Sequence, residues 1–149
     1  MEDESPKAVL YAGFARVGRA LGSPARIELL NLLAQGERGV EELAAAAGLK
    51  VSNTSAQLKA LAAAGLVTSR RSGTRAFYRI NGPRVTALAE LAKQVACEQL
   101  PEVRDAARAW LGGTGNLEPV TRGELRRRMR RRRQHPGGRP GRPAGRAAR

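Results

Sequence analysis

Among 149 residues there is one cysteine, Cys97, and one histidine, His135. A single thiol cannot close an intrachain disulfide, and one cysteine with one histidine cannot build a zinc site within one chain. Aromatic residues make up only 3% of the chain, so the core has to be Leu, Val, Ile and Ala packed closely on helices. No apolar run approaches the ~18 residues a membrane span needs. The acidic start, Met1-Glu2-Asp3-Glu4, lacks the charged-then-apolar layout of a signal peptide. A cytoplasmic protein without membrane contact is expected. Also missing are paired catalytic carboxylates, a nucleophile–base set and a phosphate-cradling glycine loop, so neither an enzyme nor a cofactor is expected. Glu90, Glu98 and Glu102 read as a solvated helix face, and Cys97 reads as a packing residue.

Charge is plentiful and unevenly placed. The net charge is +14, yet residues 120–149 hold twelve of the 27 basic residues against one acid, Glu124, a net of +11. Residues 1–119 carry fifteen basic and twelve acidic residues, a net of only +3. Basic groups in the folded part therefore matter only where they cluster on one face.

The order of elements is legible from periodicity and punctuation. Between Lys7 and Leu21, the residues Leu10, Phe14, Val17 and Leu21 recur at helical spacing and form one apolar stripe. Ser23-Pro24 offers an N-cap followed by proline at the first helical position, opening a nearly all-apolar helix that ends at Gln35-Gly36. A short helix from Val40 to Ala47 leads through a turn at Gly48-Leu49 to a helix from Val51 to about Ala64, with Leu58 and Leu61 facing inward. Val67–Arg71 and Thr74–Ile80 read as strands joined at Ser72-Gly73. From Pro83 a long apolar stripe runs through Leu88, Leu91, Val95, Leu100, Val103, Ala107 and Leu111, with a kink or break predicted at Pro101. The fold class is mainly α with a small β-hairpin, a winged helix-turn-helix flanked by long N- and C-terminal dimerisation helices. Its expected layout is a tail over 1–6, a DNA-binding and dimerisation domain over 7–112, a linker over 113–125 and a disordered tail over 126–149.

This arrangement lays one helix in the DNA major groove. The candidate reader is the helix carrying Ser52, Asn53, Thr54, Ser55, Gln57 and Lys59. Hydroxyls can bond bases or phosphates, Asn and Gln can make paired bonds to adenine, and Lys59 can meet a phosphate. A polar cluster at a helix start can also be no more than its cap, but here it lies between a glycine turn and a basic hairpin. On that hairpin Arg70, Arg71, Arg75 and Arg79 fall within ten residues, suited to the DNA backbone or minor groove. The apolar stripes Leu10, Phe14, Val17 and Leu88, Leu91, Val95 exceed what such a small domain needs for its own core. A homodimer interface is their natural use, since a two-fold dimer sets two reading helices about 34 Å apart.

The stretch from Phe14 to about Leu100 resembles ArsR/SmtB-type winged-helix transcriptional repressors. ALGSPARIELLNLL is similar to that family's second helix, VEELAAAAGLKVSNTSAQLKALAAAGLV to its helix-turn-helix, and SRRSGTRAFYRI to its wing. The resemblance implies a homodimer that binds double-stranded operator DNA and releases it on meeting an inducer, whose identity is unknown. Metal-sensing members carry paired cysteines just before the turn, where this chain has Gly39 and Glu41, and histidines on the last helix, where it has none. A metal-independent regulator is therefore expected. Lys50 stands where many relatives have a capping Ser, which moves the expected cap to Ser52. Ala56 replaces a longer polar residue of the reading helix.

Residues 116–125 resemble the connector of relatives that carry a C-terminal rhodanese domain. Beyond residue 125 this chain is instead rich in Arg, Gly, Pro and Ala, as off-frame reading of GC-rich DNA would produce. The expectation is a fusion protein cut short or frameshifted; an intact frame with a genuine stop after Arg149 would exclude it. The alternative function lies in the same tail, where seven arginines in residues 126–133 could hold nucleic acid non-specifically by counterion release.

Overall fold

The computed structural model describes residues 5–112. The expected linker and arginine tail, the start of the N-terminal tail, and His135 lie outside the described residues. The chain divides into two units after Pro101. In the first, the elements are α1 (Pro6–Ala20), α2 (Pro24–Leu33), β1 (Arg38–Gly39), α3 (Val40–Ala47), α4 (Val51–Ala63), β2 (Val67–Ser72), β3 (Arg75–Ile80) and α5 (Pro83–Gln99). The second unit begins at Glu102 and holds all but the first residue of α6 (Pro101–Gly112), an amphipathic helix whose Trp110 is largely exposed.

Local chemistry sets the helix limits. Ser23 caps α2, its hydroxyl accepting from the Arg26 N–H at 3.5 Å, with Pro24 at the first helical position. Gly48 closes α3 in the left-handed region, φ +66°, and lets the Leu49 N–H reach back to the Ala44 carbonyl at 2.9 Å. That conformation is strained for other residues, which is why the turn between α3 and α4 uses glycine. Pro101 breaks the long C-terminal helix: α5 stops at Gln99, Leu100 is extended, and α6 begins at the proline itself.

The sheet is three-stranded and antiparallel in the order β1-β3-β2. Its hairpin is closed by the pair Ser72–Arg75, so the turn residues are Gly73, with φ +61°, and Thr74, one position later than the sequence suggests. β1 was not expected from the sequence. It pairs Arg38 with Tyr78 and Gly39 with Phe77, fastening the α2–α3 connection to the wing.

Leu29, Leu30 and Leu33 of α2, Leu43 of α3, and Leu58 and Leu61 of α4 are buried together with Leu66, Val67 and Tyr78. The inward positions of Leu58 and Leu61 agree with the sequence reading. Each such leucine contributes about 1.5–3 kcal/mol by leaving water. Lys93 of α5 donates to the Asn31 side chain of α2 at 2.8 Å and also pairs with Glu90, so Glu90 is not only a solvated carboxylate.

Candidate nucleic-acid interface

α4 starts without a side-chain cap. Its N-cap residue is Lys50, no side chain accepts from the N–H groups of the first turn, and Ser52 does not take over that role. Thr54 is fully buried, and its hydroxyl donates to the Lys50 carbonyl at 3.0 Å. That back-bond satisfies the hydroxyl inside the core and removes Thr54 from the DNA-facing set. Ser52, Asn53 and Lys59 are exposed, while Ser55 and Gln57 are half-buried. Ala56 is exposed in their midst, a short apolar gap in an otherwise polar face. Gln57 is held on both sides: Oε1 accepts from Arg26 Nη1 at 2.8 Å, and Nε2 donates to Asn53 Oδ1 at 3.2 Å.

Strand alternation divides the wing arginines between two faces. Arg70 lies opposite Phe77, and Arg79 opposite Thr68, on the face that also carries Arg75. Arg71 lies opposite Ala76, on the other face. Arg71, Arg75 and Arg79 are exposed, and Arg79 Nε donates to the Thr68 hydroxyl at 3.3 Å. Arg70 is differently employed. Its Nε and Nη2 both donate to Glu37 Oε1, at 2.9 and 2.6 Å, and its guanidinium stacks 4.6 Å from the centre of the Phe77 ring. Arg70 thus braces the wing against the α2–α3 connection. A groove of about 340 Å³, lined by Gly39, Val40, Glu41, Val51, Arg75 and Phe77, separates the start of α4 from the wing.

The hydrogen bond from Arg70 lowers the pKa of Glu37, opposed by partial desolvation and assisted by the charges of Arg70 and Arg79. A depressed folded-state pKa means that this pair's contribution is present above the ordinary glutamate value. It is lost as pH falls through the lower, folded value. A carbon-detected NMR titration should find the Glu37 midpoint below the ordinary glutamate value. In Arg70→Gln it should rise toward that value; an unchanged midpoint would show that the pair does not persist in solution.

The apolar residues assigned to a subunit interface fall into two groups. Leu10, Phe14, Leu88, Leu91 and Val95 are exposed, and Leu91 is 55% exposed. Leu88, Leu91 and Val95 line an apolar groove of about 560 Å³ with Ala92, Ala96 and Leu100. Val17 is half-buried against the core, so part of its surface is already used within the subunit. Cys97 is half-buried on α5. Among the described residues no three His, Cys, Asp or Glu side chains gather as a metal site would require, and no helix is long and apolar enough to cross a membrane.

A helix-turn-helix joined to an antiparallel wing, with a polar face on its second helix and exposed arginines on the hairpin, defines a winged helix-turn-helix DNA-binding domain. The match to known proteins is specific: residues 23–69 fit the family model of bacterial regulatory proteins of the arsR family. Over 122 residues the chain is 48% identical to the HTH-type transcriptional regulator Rv0324 of Mycobacterium tuberculosis, 82% of this chain but 53% of that protein. It thus spans about half the length of that relative. The solution structure of the homodimeric winged helix-turn-helix domain, residues 1–100, of Mb0332 from Mycobacterium bovis has a TM-score of 0.60 at 47% identity. That match covers 67% of this chain and 93% of that one. A relative from Streptomyces lividans, "Probable mercury resistance operon repressor", is 37% identical over 84 residues, 56% of this chain and 67% of that protein. The chain belongs to the ArsR family of DNA-binding transcriptional regulators, which is not a family of enzymes.

Arg26, Glu37 and Phe77 were missed by sequence reasoning as parts of this surface. The only available signal was a charged or aromatic residue near a turn: Arg26 and Glu37 meet Gln57 and Arg70 across 31 and 33 positions, and Phe77 meets Arg70 only once the two strands pair.

Proposed function

We propose that this chain is a sequence-specific repressor that binds operator DNA as a homodimer and needs no metal to do so. The observation that carries the reading is that α4 keeps Ser52, Asn53 and Lys59 exposed and Ser55 and Gln57 half-buried, while the wing, across the groove lined by Val51 and Arg75, keeps Arg71, Arg75 and Arg79 exposed. Side chains of the first group suit base edges and the adjoining phosphates, and the second group suits the backbone. Dimerisation is supported by the exposed apolar groove of α5 and by the homodimeric Mycobacterium bovis domain, and repression by the name of the Streptomyces relative.

That relative is named for mercury resistance, yet this chain has neither a cysteine at position 39 nor one at position 41. Space does not explain the difference at Gly39. A Cβ there would lie 3.6 Å from the Phe77 ring, an ordinary contact. Absent thiolates remove the ligands that a soft metal would select.

The test is binding of the full chain to DNA from upstream of its own gene against a scrambled duplex at physiological salt, with EDTA and with added zinc. Tight, preferential binding that is the same in both solutions is expected. Equal affinity for the two duplexes would defeat the sequence-specific reading, and a zinc-dependent affinity would defeat the metal-free one.

A further inference from the structure

Arg26 of α2 stands where three helices meet. Its Nε donates to the Ala20 carbonyl at 2.6 Å and its Nη2 to the Arg19 carbonyl at 2.9 Å, both at the C-terminal end of α1. Its remaining arm, Nη1, donates to Gln57 Oε1 on α4 at 2.8 Å. Three acceptors on two elements fix the guanidinium plane, a task that suits the rigid arginine fork and not the single ammonium of lysine.

We propose that Arg26 is a positioning residue for DNA reading: it determines which way round the Gln57 amide is presented. The inference rests on the proposed sequence-specific function. A guanidinium has only donors, so the amide oxygen must face it; the flipped amide would set NH2 against N–H. Asn53 Oδ1, on the other side, accepts from Nε2 in that orientation; its own amide carries both donor and acceptor and follows Gln57, so the direction is set by Arg26. Gln57 is left with one acceptor lone pair and one N–H available in a fixed order. A paired contact with adenine requires an acceptor for N6 and a donor for N7 in a set order, and a flip would exchange them. Because Arg26 is anchored on the carbonyls that end α1, the helix bearing exposed Leu10 and Phe14, the reading group is also tied to the placement of that helix.

The experiment is selection of duplexes from a random 30-base-pair pool by the full chain, by Gln57→Ala, by Arg26→Met and by Arg26→Lys, with thermal melting of each protein. The wild-type chain should enrich one motif. Gln57→Ala should lose roughly tenfold discrimination at particular positions of it. Arg26→Met should relax those same positions and no others. Arg26→Lys, which retains the charge and the stem, should do likewise, and it serves as the readout if Arg26→Met melts early. Retention of wild-type preferences by Arg26→Lys, or relaxation at different positions, would overturn the assignment while leaving sequence-specific binding intact. A motif insensitive to Gln57→Ala would overturn it too. Failure of the wild-type chain to enrich any motif would instead remove the function on which the inference rests.

Discussion

Leu91→Glu should leave the subunit folded and reduce operator affinity by about 10²–10⁴-fold. Leu91 is 55% exposed on α5 and lines the apolar groove with Leu88 and Val95. In an isolated subunit the new carboxylate stays in water, so folding loses little. If a second copy covers the groove, the same carboxylate must be desolvated without a partner, which disfavours association by several kcal/mol. A separated subunit holds one half-site and forfeits the effective concentration that its twin supplied. Sedimentation velocity and a binding titration on the same sample check both halves. A variant that remains dimeric would show that this groove is not the interface.

Leu58→Ala should lower the unfolding free energy by about 2–5 kcal/mol. Leu58 is completely buried, on the inner face of α4 directly beside half-buried Gln57. Truncation removes the transfer free energy of the lost carbons and leaves a cavity that α2 and α3, already packed, can close only in part. In a domain of 60–100 residues each kcal/mol lowers the melting temperature by roughly 4–8 °C, so calorimetry should register a large fall. Thr54→Val is the informative companion. It removes a buried hydroxyl together with its bond to Lys50 and keeps the volume, so a small change is expected. DNA affinity lost by Thr54→Val without loss of stability would return Thr54 to the contact surface.

The frame of this fold was legible because its limits are marked locally. Ser23-Pro24, Gly48 and Pro101 each impose a backbone choice that needs no tertiary partner. β1 was illegible for the opposite reason. Two residues, Arg38 and Gly39, have no strand propensity worth reading and become a strand only by pairing with β3. The reading face was recovered in outline, but a polar run does not disclose which of its hydroxyls turns inward, and Thr54 turned in. Nor does a count of arginines reveal employment. Arg26 reaches Gln57 across 31 positions, and Arg70 reaches Glu37 across 33.

That employment of Arg70 bears on how the protein would answer to ionic strength. Read as sequence, each wing offers four cations to DNA, but one of them is already neutralised by Glu37 inside its own fold. Binding releases a DNA counterion only for a charge that the phosphates newly acquire. The two wings of a dimer would therefore contribute a log–log salt slope of at most about −5.4, where a simple tally of arginines gives about −7.2. Removing Glu37 would return the fourth charge, so Glu37→Gln should bind all DNA more tightly at low salt and shed it more steeply as salt rises.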